Sequence, residues 1–288
     1  MRFNHVFGFL LILLAIWLGI NASDRQDVDD GTFADGDTAD ADTTADEPDR
    51  DAGDAERADH KDSKDRQDDV DGNEGIVSNG DFCANVSEDS RFTDLGRNHD
   101  EAVRCMDEAD VVTGVSDDTF APQDAITRGQ TAATIAAMIR VSNDLEAPDA
   151  DLRSLPDASD PRFPDTRSDH PHAEEVAQLN EAGIISGYVD ARYEPTRRVS
   201  RAQMASMLDR AYRYLNHDAL PSSGDQFSDD DDSVHEDSIN ALASADIMEG
   251  ISGTRFGPNR SVSRGQMATY VARMMSRMER EGRITPLP

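Results

Sequence analysis

The chain has 288 residues, 59 of them acidic and 28 basic, for a net charge of −31, with two cysteines. That balance leaves nothing to neutralise a phosphate backbone and excludes a general nucleic-acid binder. It contains no Gly-x-Ser-x-Gly, no phosphate-binding glycine loop and no His-Glu-x-x-His, so neither a catalytic set nor a cofactor nor a metal site is expected.

Residues 1–22 read as a secretory signal peptide. Arg2 and His5 precede an apolar run from Val6 to Ile20, about 15 residues where a membrane span needs roughly 20. Cleavage is expected after Ala22. Ile20 stands where a small residue is preferred, which keeps open a retained leader that holds the chain at a membrane. Residues 23–90 follow as an acidic linker, with 24 acids against 6 bases from Asp24 to Ser90. Such a segment buries too little apolar surface to offset its ordering entropy, so a disordered, self-repelling spacer is expected. Cys83 and Cys105, in an exported chain, allow a disulfide closing a short loop. Two free thiols fit the sequence as well.

From residue 91 to about 280 the chain repeats itself three times, over about 92–140, 163–215 and 227–278, before a tail at 281–288. Each unit opens on Phe-x-Asp (Phe92, Phe163, Phe227) followed by a histidine (His99, His172, His235). Apolar residues then recur at helical spacing: Val103, Met106 and Ala109; Val176, Leu179 and Ala182; Ile239, Leu242 and Ala245. A short amphipathic helix is predicted in each. Next comes a glycine (Gly114, Gly187, Gly250), and from it the count is constant. Six residues lead to an aromatic (Phe120, Tyr193, Phe256), two more to a proline (Pro122, Pro195, Pro258), and six more to an arginine (Arg128, Arg201, Arg264). A stretch that admits no insertion predicts a compact, packed loop.

A second, longer helix is predicted behind each arginine. Thr127, Ser200 and Ser263 are N-cap residues and Gln130, Gln203 and Gln266 stand three later, a capping box in all three copies. Broad apolar stripes follow, Met204 to Leu215 in the second unit and Met267 to Met278 in the third, with a weaker one from Ile135 to Ile139 in the first. One unit has too little apolar surface to stand alone, so the three are expected to form one domain.

In their order and spacing these residues closely resemble three S-layer homology (SLH) repeats, over about 92–278. The resemblance implies an all-α fold of three helix-loop-helix repeats in a pseudo-threefold bundle. It also implies grooves that bind acidic, often pyruvylated, secondary polysaccharides of the bacterial cell wall. In that family a Thr-Arg-Ala-Glu signature supplies the arginine that meets the acidic sugar. Here it reads TRGQ, SRAQ and SRGQ, so the arginine is kept and glutamine replaces glutamate. The implied ligand-binding residues are Arg128, Arg201 and Arg264 with Thr127, Ser200, Ser263, Gln130, Gln203 and Gln266. A secreted, wall-associated anchor is the expected function, the partner being cell wall polysaccharide, with a membrane involved only if the leader is retained.

The arginine poses a physical question, because a helix N-terminus already carries a partial positive charge. A carboxylate held by guanidinium and helix amides together answers it. Pairing with Asp94, Asp165 and Asp229 of the repeats themselves answers it as well. The histidines, about 65 residues apart at the starts of helices expected to face outward, suggest a structural or capping role rather than a metal site. The acidic run Asp229–Asp232 lacks the glycine and terminal glutamate of an EF-hand loop and reads as a solvated turn. A second class of function is a protein–protein module, with Met267, Met274, Met275 and Met278 as an adaptable apolar surface.

Overall fold

The computed structural model describes residues 81–158, 162–231 and 233–288. The signal peptide and most of the acidic linker lie outside the described residues. Six α-helices are present among them and no strand, only isolated bridges. The short first helices are α1 (Asp100–Glu108), α3 (Ala173–Glu181) and α5 (Glu236–Ser244). The long second helices are α2 (Arg128–Asp144), α4 (Arg201–Asn216) and α6 (Arg264–Arg280).

Each short helix ends in the same way. Asp110, Gly183 and Asp246 take left-handed φ of 56°, 71° and 57°. Their N–H groups and those of the following residues turn back onto the last helical carbonyls, as in Val111 N–H to Met106 O and Ile184 N–H to Leu179 O. These are Schellman closures, and they drop Val111, Ile184 and Ile247 into the core. Each long helix starts with the full capping box, Thr127, Ser200 or Ser263 accepting from the glutamine amide and the glutamine side chain accepting from the cap.

The core forms between repeats. Each short helix packs on the long helix of the preceding repeat: α3 on α2, α5 on α4, and α1 on α6, which closes the circle. Around the axis the residues just before the caps bond in a ring: Ile126 N–H to Val262 O, Val262 N–H to Val199 O and Val199 N–H to Ile126 O. This is the pseudo-threefold arrangement. All of Met267, Met274, Met275 and Met278 are inside it, 1% exposed or less. The methionine stripe therefore offers no surface to a partner, because α6 meets both α1 and α2.

Both ends of the domain reach past the expected limits. Phe82 and Cys83 are buried, a 3-10 turn at Asp81–Cys83 packs on α6 and α1, and a disulfide joins Cys83 to Cys105. At the other end, the tail runs beside the end of α2, with Thr285 N–H donating to Leu145 O and Ile284 buried. Among the described residues no helix is long and apolar enough to cross a membrane.

Candidate functional site

The three arginines, expected to meet a ligand, are closed off from solvent. Arg128, Arg201 and Arg264 are buried, with 4%, 1% and 9% exposure. Each guanidinium reaches into the loop of the next repeat. Nε donates to the carbonyl of its aromatic residue, Arg128 to Tyr193 O at 2.7 Å, Arg201 to Phe256 O at 2.9 Å and Arg264 to Phe120 O at 2.8 Å. Nη2 donates to the carbonyl before the conserved-spacing glycine: Ser186 O, Glu249 O and Thr113 O respectively. The guanidinium carbon also sits 4.4–4.5 Å from the ring centre of that same aromatic, a cation–π contact.

The helix amides are filled from the same loops. Arg128, Arg201 and Arg264 N–H donate to Arg197 O, Arg260 O and Asp124 O, and the next amides donate to Pro195 O, Pro258 O and Pro122 O. So carbonyl oxygens of the neighbouring repeat occupy the place where a ligand carboxylate was expected to meet the helix N-terminus. Among the described residues these carbonyls meet both the helix amides and the guanidiniums. Desolvation holds the Arg264 guanidinium below its usual pKa, against the raising influence of Asp124 and Asp94.

The repeats' own aspartates do not supply hydrogen-bonded partners to these arginines either. Asp94 accepts from Phe120 and Ala121 N–H, Asp165 from Tyr193 and Glu194 N–H, and Asp229 from Phe256 and Gly257 N–H. Ala121, Glu194 and Gly257 are left-handed, with φ of 58°, 57° and 73°. Each aspartate thus holds the loop in the shape that aims its carbonyls at the arginine. Burial raises the Asp94 and Asp165 pKa values, but these N–H bonds outweigh it and keep both carboxyls below the usual range.

The glycine at the start of the loop has a steric reason. A Cβ on Gly114, Gly187 or Gly250 would come within 2.4–2.5 Å of the ring of Phe92, Phe163 or Phe227. The histidines are inward too, contrary to expectation. His99 Nδ1 meets Thr269 Oγ1 at 2.9 Å and His235 Nδ1 meets Ser206 Oγ at 2.8 Å, while the His172 ring lies over Gly129. All three occupy N-cap positions without a side-chain capping bond. They are packing residues between repeats.

A shallow cleft opens at the seam between the first and second repeats. Arg128, Ser186, Tyr188, Gln203, Met207 and Arg210 line it, with no carboxylate among the described residues of the lining. Arg128 and Gln203 come from the expected set; Tyr188, Ser186 and Arg210 do not. The hydroxyls of Ser186 and Tyr188 are buried without a hydrogen-bond partner among the described residues. Arg128 and Arg197 flank the Tyr188 ring at 4.8 and 4.9 Å. Asp209, next to Arg210, is turned to Arg213 and Ser238.

The other two seams differ at matching positions. Where Met207 faces Arg128, Tyr270 faces Arg201 and accepts its Nη1 at 2.6 Å. Where Arg210 stands, nine residues after the signature arginine, the third repeat has Arg273, paired with Glu249 at 3.2 Å, and the first has Ala137. Comparing the copies at that offset was the signal in the sequence that would have marked Arg210.

The S-layer homology domain matches at residues 91–132, 162–205 and 227–268. An endoglucanase of Bacillus sp. (strain KSM-635) is 27% identical over 176 residues, 60% of this chain and 17% of its own. An uncharacterized cell wall amidase of Bacillus anthracis is 27% identical over 187 residues, 65% of this chain and 32% of its own. An S-layer protein of the same organism is 26% identical over 186 residues, 63% of this chain and 20% of its own. This chain therefore spans less than a third of the length of each.

Proposed function

As a chain built on three S-layer homology domains, and so a member of that family, this protein is a cell-surface module, and we propose that it anchors non-covalently by binding an acidic wall polysaccharide in the cleft between its first and second repeats. The observation that carries the reading is the cleft lining. In a chain of 59 acids and 28 bases, a concave site that gathers two guanidiniums favours an anion. Arg210 and the edge of the Arg128 guanidinium that lines the cleft hold the carboxylate of a ketal or uronic acid. The hydroxyls of Tyr188 and Ser186, with Gln203, meet sugar hydroxyls. Relatives named as an endoglucanase, an amidase and an S-layer protein share this region, which supports an appendage common to different cargoes. Thr127, Ser200, Ser263, Gln130 and Gln266 serve the helix caps in this reading, and Arg201 and Arg264 the seams. The leader and the acidic stretch provide export and reach.

The test is sedimentation of the purified protein with isolated wall polysaccharide, before and after chemical removal of its acidic ketals. Arg210→Ala, at a half-buried position outside the arginine latches, is expected to keep the melting temperature within about 3 °C. It is expected to weaken binding by about tenfold or more, and ketal removal to do the same to the unaltered chain. Undiminished binding by Arg210→Ala would rule out this cleft.

A further inference from the structure

The acidic run of the third repeat is not the solvated turn read from the sequence. Asp229 is committed to the loop N–H groups of Phe256 and Gly257. Asp230, next to it, is 1% exposed, and neither of its carboxylate oxygens has a hydrogen-bond partner among the described residues. Burying an ionised carboxylate without donors is costly, and such groups are ordinarily paired or bound to a metal. Asp225 and Asp231 flank it from the surface. One carboxylate oxygen from each of Asp225, Asp230 and Asp231 lies within 4.8 Å of the other two. Oxygens about 2.4 Å from one calcium ion stand at most about 4.8 Å apart, so this grouping is of the size that a shared ion draws together.

We propose that Asp225, Asp230 and Asp231 form a calcium site that locks the loop leading into α5. It is separate from the glycan cleft and does not depend on it. The molecule contains its own control, because the same three positions exist in the other repeats. They are Ser90, Leu95 and Gly96 in the first, and Pro161, Thr166 and Arg167 in the second. The position of Asp230 is buried at Thr166 and half-buried at Leu95, so the fold asks there for a neutral residue. Only the third repeat places a carboxylate there, and only the third surrounds it with two more.

Asp225 also keeps the local turn, its Oδ1 accepting from Phe227 N–H as Ser90 Oγ accepts from Phe92 N–H. The turn therefore needs an oxygen at this position but not a charge. The groups facing Asp230 are negative as well: burial first, then Asp225, Glu236 and Asp229, push its carboxyl up to about 6. Arg255 pairs with Asp229 at 3.6 Å, and none of the three proposed ligands has an ion pair among the described residues. A divalent cation supplies that charge, and three carboxylates with water completing the shell suit calcium in a surface loop.

The test uses the full chain, calcium chloride as the probe, and about 150 mM sodium chloride to screen diffuse attraction to the acidic surface. Two variants borrow residues the fold already accepts: Asp230→Thr, and Asp225→Ser with Asp231→Gly. In excess chelator Asp230→Thr is expected to melt above the unaltered chain, since an unpaired buried charge is gone. In about 5 mM calcium the order is expected to reverse, the unaltered chain gaining about 5 °C and Asp230→Thr gaining none. The double variant is expected to match the unaltered chain in chelator and to need about tenfold more calcium for the same gain. Equal calcium gains in the unaltered chain and Asp230→Thr, or no gain in the unaltered chain, would overturn the proposal.

Discussion

Arg201 shows how far a buried cation is governed by backbone rather than by opposite charge. Its guanidinium is 1% exposed and, among the described residues, donates to Phe256 O, Glu249 O and Tyr270 Oη, none of which is ionised. A guanidinium suits this role because its planar fork meets several carbonyls at once and its face covers the Phe256 ring. Truncation would leave those acceptors unmet and a cavity behind. Arg201→Ala is therefore expected to lose about 3 kcal/mol in urea unfolding, and Arg201→Lys to recover little of it, since an ammonium cannot span the fork. A loss under about 1 kcal/mol would place the arginine among ordinary surface pairs.

The helix-to-helix loop is the element that the repeat exists to hold. Its glycine admits the Phe92, Phe163 or Phe227 ring, its left-handed residue turns two N–H groups onto an aspartate, and its carbonyls then face the neighbouring arginine and helix amides. One extra residue would break all of these registers together, which accounts for the constant count. The aspartate clamps also give the loops a pH dependence. Asp94 and Asp165 have depressed folded pKa values, so their stabilisation is complete above the unfolded value of about 3.9 and is lost as pH falls through the folded values. Thermal melts between neutral pH and about pH 2.5 should show that loss below about pH 4, and Asp94→Asn should lower the melting temperature at neutral pH while flattening the acid limb.

At the scale of the molecule, stability is shared around a ring. No short helix packs mainly on the long helix of its own repeat; α1 depends on α6, far along the chain. The disulfide and the Asp81–Cys83 turn fasten the same seam where the first repeat meets the third. Cooperative unfolding follows, with helical ellipticity and tyrosine fluorescence expected to change together in urea. A chain ended at residue 226 should lose most of its helical signal, because α1 then has no partner and Arg201 no carbonyls. Two resolved transitions, or a folded shortened chain, would contradict the closed ring.

The sequence by itself determined the local structure: three copies, two helices in each, and capping boxes at Thr127, Ser200 and Ser263. These are set by spacing and by the chemistry of single residues, so they can be read along the chain. Only the tertiary structure decided what the signature arginines, the histidines, the methionines and Asp230 do. The partners of the arginines lie 65, 55 and 144 residues away, and they are backbone carbonyls. Every residue carries a carbonyl, so no pattern of side chains could single those out. Burial decided the rest: closing the ring turned the histidines and methionines inward, enclosed one aspartate of an acidic run, and placed Met207 beside Arg128 where Tyr270 stands beside Arg201.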